Sequence, residues 1–188
     1  MRKTITNFYQ FFLCLILIEY CLINKPSIAF FPKINEPSPQ EFESTSIELG
    51  KTGIQLIQFG KQDEAIKLLE LAVKLNPKEK DLWLGLAEAQ ILSNKKYKAL
   101  SSLNKALKLS PKEQKIYFTK ASIYLDLNDP NKAKLIIKKG LSINKNNERG
   151  YFQLGNTEIL LKNYKLALIA FKKSSEINSN FWQSINNE

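Results

Sequence analysis

Histidine is absent from the sequence, and arginine occurs only at Arg2 and Arg149. Without histidine the commonest general base is missing, so Ser-His-Asp and Cys-His nucleophile pairs and His-containing zinc sites fall away. The scarcity of arginine bears on charge. There are 28 Lys+Arg against 18 Asp+Glu, a formal net charge of +10, which suits nucleic acid, an anionic membrane surface or an acidic partner. Lysine with almost no arginine is poor at reading base edges, so nucleic acid is the least favoured of the three. Cys14 and Cys21 are the sole cysteines. Both lie in the most apolar stretch of the chain, which rules out a disulfide framework and makes apolar burial their simplest account. Among the few glycines, Gly50, Gly53 and Gly60 do not complete a phosphate-binding loop: Gly50-Lys51-Thr52 is a Gly-Lys-Thr run, but Thr45 stands where the pattern needs its first glycine. The acidic pair Asp63-Glu64 opens a helix, where carboxylates favour the dipole and no catalytic role is needed to explain them. No cofactor or metal set emerges, and the chain reads as a non-enzyme.

What is present begins with a targeting-like segment, residues 1–29. Arg2 and Lys3 precede an apolar run from Phe8 to Ile23, and Ser27-Ile28-Ala29 places small residues where a signal peptidase reads them. Cleavage after Ala29 is one reading and an uncleaved membrane anchor another; a buried helix of a soluble body is the third. The anchor is disfavoured because a span needs ~20 apolar residues. Glu19 would also cost about 3 kcal/mol near a bilayer centre. Ile18-Glu19-Tyr20 before Cys21 lacks the small residues of a lipoprotein signal. Signal and anchor alike put the rest of the chain outside the cytoplasm, in a periplasm or thylakoid lumen, free or membrane-anchored. Residues 30–45, with Pro32, Pro37 and Pro39 and no helical period, read as an extended tether.

From residue 46 the chain matches itself at a period of about 34 residues. Ala65, Ala99, Ala133 and Ala167 form one series, and Trp83, Tyr117 and Tyr151 another. Gly53, Ala87, Ala121 and Gly155 keep the same register, as do Leu69, Leu103, Ile137 and Phe171, and Ala72, Ala106, Gly140 and Ser174. Composition has no phase, so it cannot produce this alignment of small with large residues. Within a unit the period is helical. Leu82, Trp83, Leu86, Ala89 and Leu92 form one apolar side; after Ser93-Asn94-Lys95 a second helix buries Ala99, Leu100, Leu103, Ala106 and Leu107. Pro77 and Pro111 disfavour helix at Asn76 and Ser110, Asn144 and Asn178 suit a left-handed cap, and Asp129 caps a helix that starts at Pro130.

These residues resemble the tetratricopeptide repeat family across nearly all of 46–181, in units 46–79, 80–113, 114–147 and 148–181. Trp83-Leu84-Gly85-Leu86-Ala87, Ala99, Leu103, Ala106 and Pro111 carry the pattern in the second unit; Tyr151, Leu154-Gly155, Ala167 and Phe171 carry it in the fourth. Gly140 and Ser174 depart from its second Ala, Lys145 and Ser179 from its Pro, and Lys120 from an apolar position. The resemblance implies an all-α solenoid of about four helical hairpins, wound as a right-handed superhelix, and four units are enough to bury a continuous core. Asn180-Phe181-Trp182-Gln183-Ser184-Ile185 look like the start of a further first helix, making 182–188 a stub: a minimal cap, a truncated end, or an edge that another subunit covers. More narrowly, an N-terminal hydrophobic segment ahead of such repeats is similar to the membrane-associated cyanobacterial and plastid tetratricopeptide proteins that assist photosystem I assembly, a likeness of architecture and composition alone.

In the family the first helices line a concave groove for a partner's peptide or helix. Carried over, the groove positions are Leu84, Glu88 and Ile91, then Phe118, Ser122 and Leu125, then Phe152, Asn156 and Ile159. The set suits an apolar or amphipathic peptide, although its bulky members serve equally to pack hairpin on hairpin. A clamp for a C-terminal carboxylate fails, because Gly50 and Ile54 stand at its first-repeat positions. The lysines fall mainly on second helices, where solvation is the ordinary reading and an anionic membrane surface the sharper one. The expected function is therefore a protein-interaction scaffold or assembly factor, with a lysine-rich binder of anionic membrane surface or nucleic acid as the alternative.

Overall fold

A computed structural model describes residues 38–178. The N-terminal segment 1–29, residues 30–37 of the expected tether and the stub 182–188 lie outside the described residues. Among the described residues the regular structure is entirely helical, in eight helices. They are α1 (Pro39–Gln58), α2 (Gln62–Leu75), α3 (Lys80–Leu92), α4 (Lys96–Leu109), α5 (Gln114–Asp126), α6 (Pro130–Ile143), α7 (Glu148–Leu160) and α8 (Tyr164–Ile177). Each odd-numbered helix forms a hairpin with its successor, and each even-numbered helix packs on the first helix of the next hairpin.

The helix α1 starts seven residues before the repeat does, so the expected tether is corrected over its last part. Ser38 Oγ accepts from the Glu41 N–H at 3.3 Å while the Glu41 carboxylate accepts from the Ser38 N–H at 2.7 Å, a reciprocal cap. Pro39 reads as a breaker by composition, but at the first helical position its missing N–H costs nothing.

The turn inside each hairpin is the same. Gly60, Asn94, Asn128 and Lys162 take positive φ, at 71°, 56°, 57° and 59°. Each donates its N–H three residues back, and the following residue donates five back, as in Asn94 to Ile91 O at 2.9 Å and Lys95 to Gln90 O at 2.7 Å. This is the double bond of a left-handed helix stop. Asn144 and Asn178 are not left-handed but extended, with φ −141° and −144°. They match Asn76 and Ser110 ahead of Pro77 and Pro111, with φ −132° and −137°. The second helices therefore all leave by one extended path, with or without the proline that dictates it. Asp129 caps α6 as expected, accepting from the Lys132 N–H at 3.0 Å.

The core follows the repeat register. Ala65, Leu69, Ala72, Ala99, Leu103, Ala106, Ala133 and Ile137 are all no more than 2% exposed. Burying each large member contributes about 1.5–3 kcal/mol. Within a hairpin the small residue of the first helix meets the large residue of the second. A Cβ added at Gly53 would lie 2.7 Å from Leu69 Cγ, and one at Gly155 would lie 2.5 Å from Phe171 Cε1. Hairpins are tied in the same rhythm. Trp83 Nε1 donates to Pro77 O and Tyr117 OH to Pro111 O, both at 2.9 Å. At the last junction Gln114 takes over, donating to Gly140 O and Asn144 O at 2.7 Å and accepting from Asn147 at 3.1 Å.

Two variants test this account. Gly155→Ala should lower stability by about 1–2 kcal/mol in thermal unfolding, the overpacking cost less the helix-propensity gain. Adding Phe171→Leu, which recreates the Ala87–Leu103 pair, should recover most of that loss. Lys162→Asn should raise stability by about 0.5–1 kcal/mol, since its backbone is already in the region asparagine tolerates better.

Candidate interaction surface

The first helices α3, α5 and α7 present the expected groove positions in register. Glu88, Ser122 and Asn156 are exposed, and so is Ile159, at 45%. Leu84 and Ile91 are half-buried against the second unit's core, and Phe118 and Leu125 against the third's. The two aromatic members are mostly occupied within the stack. Phe118 fills the space left by two glycines, since a Cβ at Gly140 would lie 2.9 Å from its Cε1 and one at Gly150 would lie 2.6 Å from its Cζ. The departure at Gly140 from the family's alanine is thereby explained. Phe152 meets Phe171 in a tilted pair with centroids 5.7 Å apart. Ser122 is also engaged: its hydroxyl donates to Phe118 O at 3.2 Å and accepts from Gln153 Nε2 at 2.7 Å.

Besides Ile159, free apolar surface on the first helices comes from residues outside the expected set. Leu92 is 54% exposed, Leu160 60% and Ile54 41%. The helical period groups Leu92 with the buried side of α3, yet it is turned about 80° around the helix from Leu82, at the margin of the apolar stripe. The spacing from Leu82, Leu86 and Ala89 already contained that signal.

On the second helices Lys67, Lys74, Lys98, Lys105, Lys108, Lys132, Lys138, Lys139, Lys165, Lys172 and Lys173 are exposed. Lys96 and Lys134 are half-buried, and Lys134 is ion-paired. Its Nζ lies 2.8 Å from Glu158 Oε1, and the Glu158 side chain is only 3% exposed. Burial pushes the Glu158 pKa up, but the bonds from Lys134 and from Asn163 (2.8 Å) outweigh it and hold the carboxyl below its ordinary value. Lys120 is buried at 8% exposure, donating to Asn104 Oδ1 at 2.6 Å. Burial, with repulsion from Lys139 second, lowers its pKa.

The pattern of small and large residues, the repeated turn and the hairpin stacking agree with what family models recognise. One tetratricopeptide repeat model matches residues 81–113, 114–147 and 148–181, and a second matches 51–89. The chain belongs to the tetratricopeptide repeat family. Tetratricopeptide arrays are protein-interaction scaffolds, generally without enzymatic activity, and this chain is one of them. Among solved structures, a crystal structure of MamA aligns with a TM-score of 0.69 at 20% identity, over 77% of this chain and 89% of that one. A MamA fragment from Desulfovibrio magneticus RS-1 aligns at 0.65 and 15% identity, over 72% and 77%. A tetratricopeptide repeat protein from Parabacteroides merdae ATCC 43184 aligns at 0.67 and 27% identity, over 72% of this chain and 54% of that one. The MamA likenesses speak to fold. No curated protein matches in sequence, and these matches give the narrower likeness to photosystem I assembly proteins no support. Among the described residues no helix is long and apolar enough to cross a membrane.

Lys120→Leu, the residue that stands at Leu86 and Leu154, should stabilise this tetratricopeptide array. A lysine with a lowered folded-state pKa binds its proton more readily when unfolded, so at neutral pH it subtracts from stability. That penalty fades as pH rises through the folded pKa toward the ordinary lysine value of about 10.4. Lys120→Leu should therefore gain about 1–2 kcal/mol at pH 7, with the difference from wild type shrinking in denaturant titrations as pH rises toward the ordinary lysine value.

Proposed function

We propose that the first-helix face holds an apolar or amphipathic segment of a partner protein, and that the chain acts as an assembly factor at or beyond a membrane. The observation that carries the reading is a set of exposed apolar residues, Ile54 on α1, Leu92 on α3, and Ile159 and Leu160 on α7, on helices that also carry or neighbour the exposed polar residues Glu88, Ser122 and Asn156. Such a surface takes the apolar side of a helix or peptide while polar groups fix its orientation. Location outside the cytoplasm is supported by Arg2 and Lys3 ahead of the apolar run and by Ser27-Ile28-Ala29. The exposed lysines of the second helices favour one second reading, attachment to an anionic membrane surface, whose mark is steep weakening with salt.

A photo-cross-linking residue placed at Glu88 or Asn156 in cells should yield one discrete protein adduct. Leu92→Lys with Leu160→Lys should reduce its yield about tenfold or more while thermal unfolding stays unchanged. An equal adduct from a cross-linker at Lys105, on a second helix, would remove the assignment.

A further inference from the structure

A cleft of about 460 Å³ opens between α6 and α8, on the side of α7 turned away from Phe152, Asn156 and Leu160. Its apolar lining is Tyr151, Leu154, Leu166, Ile169 and Ala170. Two of these are conspicuously unburied, Leu166 at 48% and Ile169 at 64%. One repeat earlier their positions hold Lys132 and Leu135; two repeats earlier they hold Lys98 and Ser101. The earlier junctions are also filled from within, by the Ser102–Gln90 hydrogen bond at 2.8 Å and by Lys120 on Asn104. In the fourth unit Leu154 and Ala170 stand at the places of Lys120 and Ile136, and the space stays open.

The rim is cationic. Lys138, Lys172 and Lys173 border the cleft against Glu158 and Glu176. Glu158 is neutralised by Lys134 at 2.8 Å and Glu176 pairs with Lys173 at 3.3 Å. That leaves Lys138 and Lys172 without an ion-pair partner among the described residues. An apolar floor with net positive charge at its edge is complementary to an apolar segment flanked by carboxylates, and the volume lies within the ~300–1,000 Å³ of ordinary ligand sites. We propose that this cleft is a second docking site, distinct from the first-helix face, for a short partner peptide with bulky apolar residues beside Asp or Glu. The scaffold would then hold two segments at once, one on each side of α7.

The test is selection of a random-peptide phage library on the full chain, followed by fluorescence anisotropy with the enriched peptides. Sequences pairing apolar residues with Asp or Glu should emerge. Leu166→Lys with Ile169→Ser installs the second unit's own residues, so folding is preserved, and it should weaken binding about tenfold or more. Lys138→Glu with Lys172→Glu should do the same, and Leu92→Lys with Leu160→Lys should leave binding unchanged. Peptides that lack acidic residues, or that bind both cleft variants as well as wild type, would overturn the proposal. So would binding that appears only after residues 179–188 are deleted, which would make the chain's own tail the occupant. A dimer that the cleft variants dissociate, or anionic-vesicle binding that they abolish, would assign the cleft to a second copy or to lipid instead.

Discussion

The crossing of a small residue with a large one inside each hairpin is the contact on which the rest of the stack depends. Gly53 lies against Leu69 and Gly155 against Phe171, and Ala87 with Leu103 and Ala121 with Ile137 hold the equivalent places. Interiors pack at crystal-like density, so the bulk of one partner limits the other: the broadest side chain, Phe171, stands opposite a glycine. The crossing sets the distance between the two helices, and that distance fixes where the next hairpin lands. Position by position, this turns a local pairing into a one-dimensional array in which each unit owes its stability to its neighbours.

The fold was legible because periodicity survives changes of residue type. Series of alanines, aromatics and aliphatics at one spacing specify the hairpins. A residue type that serves two geometries carries less information. Proline at Pro39 looks the same whether it breaks a helix or begins one, and Ser38 with Glu41 was the deciding context. Asparagine suits left-handed backbone, but the positions that need it are Asn94 and Asn128 within hairpins, while Asn144 and Asn178 follow an extended path between units.

The surface was less legible than the core. A repeat register tells which residues share a face, but not how much of each side chain the neighbouring hairpin covers. Phe118 sits at a groove position by register, yet Gly140 and Gly150, distant in sequence, draw its ring into the stack. Lys134 has the sequence signature of a solvated lysine. Its pairing with Glu158, 24 residues on, makes it a half-buried partner of an interior carboxylate.

That ion pair has a consequence for how the chain finds its order. Near-identical repeats are prone to stacking out of sequence, one unit displaced onto the wrong neighbour. Here the corresponding positions differ chemically from junction to junction: Ile66 and the buried Gln90 hold them at the first, Leu100 shares a cluster with Tyr124 at the second, and Lys134 is paired with Glu158 at the third. A slip by one unit would set Leu100 against Glu158 and strand that carboxylate as an unpaired buried charge. The three junctions thus work as an address system, in which each hairpin fits one predecessor and refuses the others.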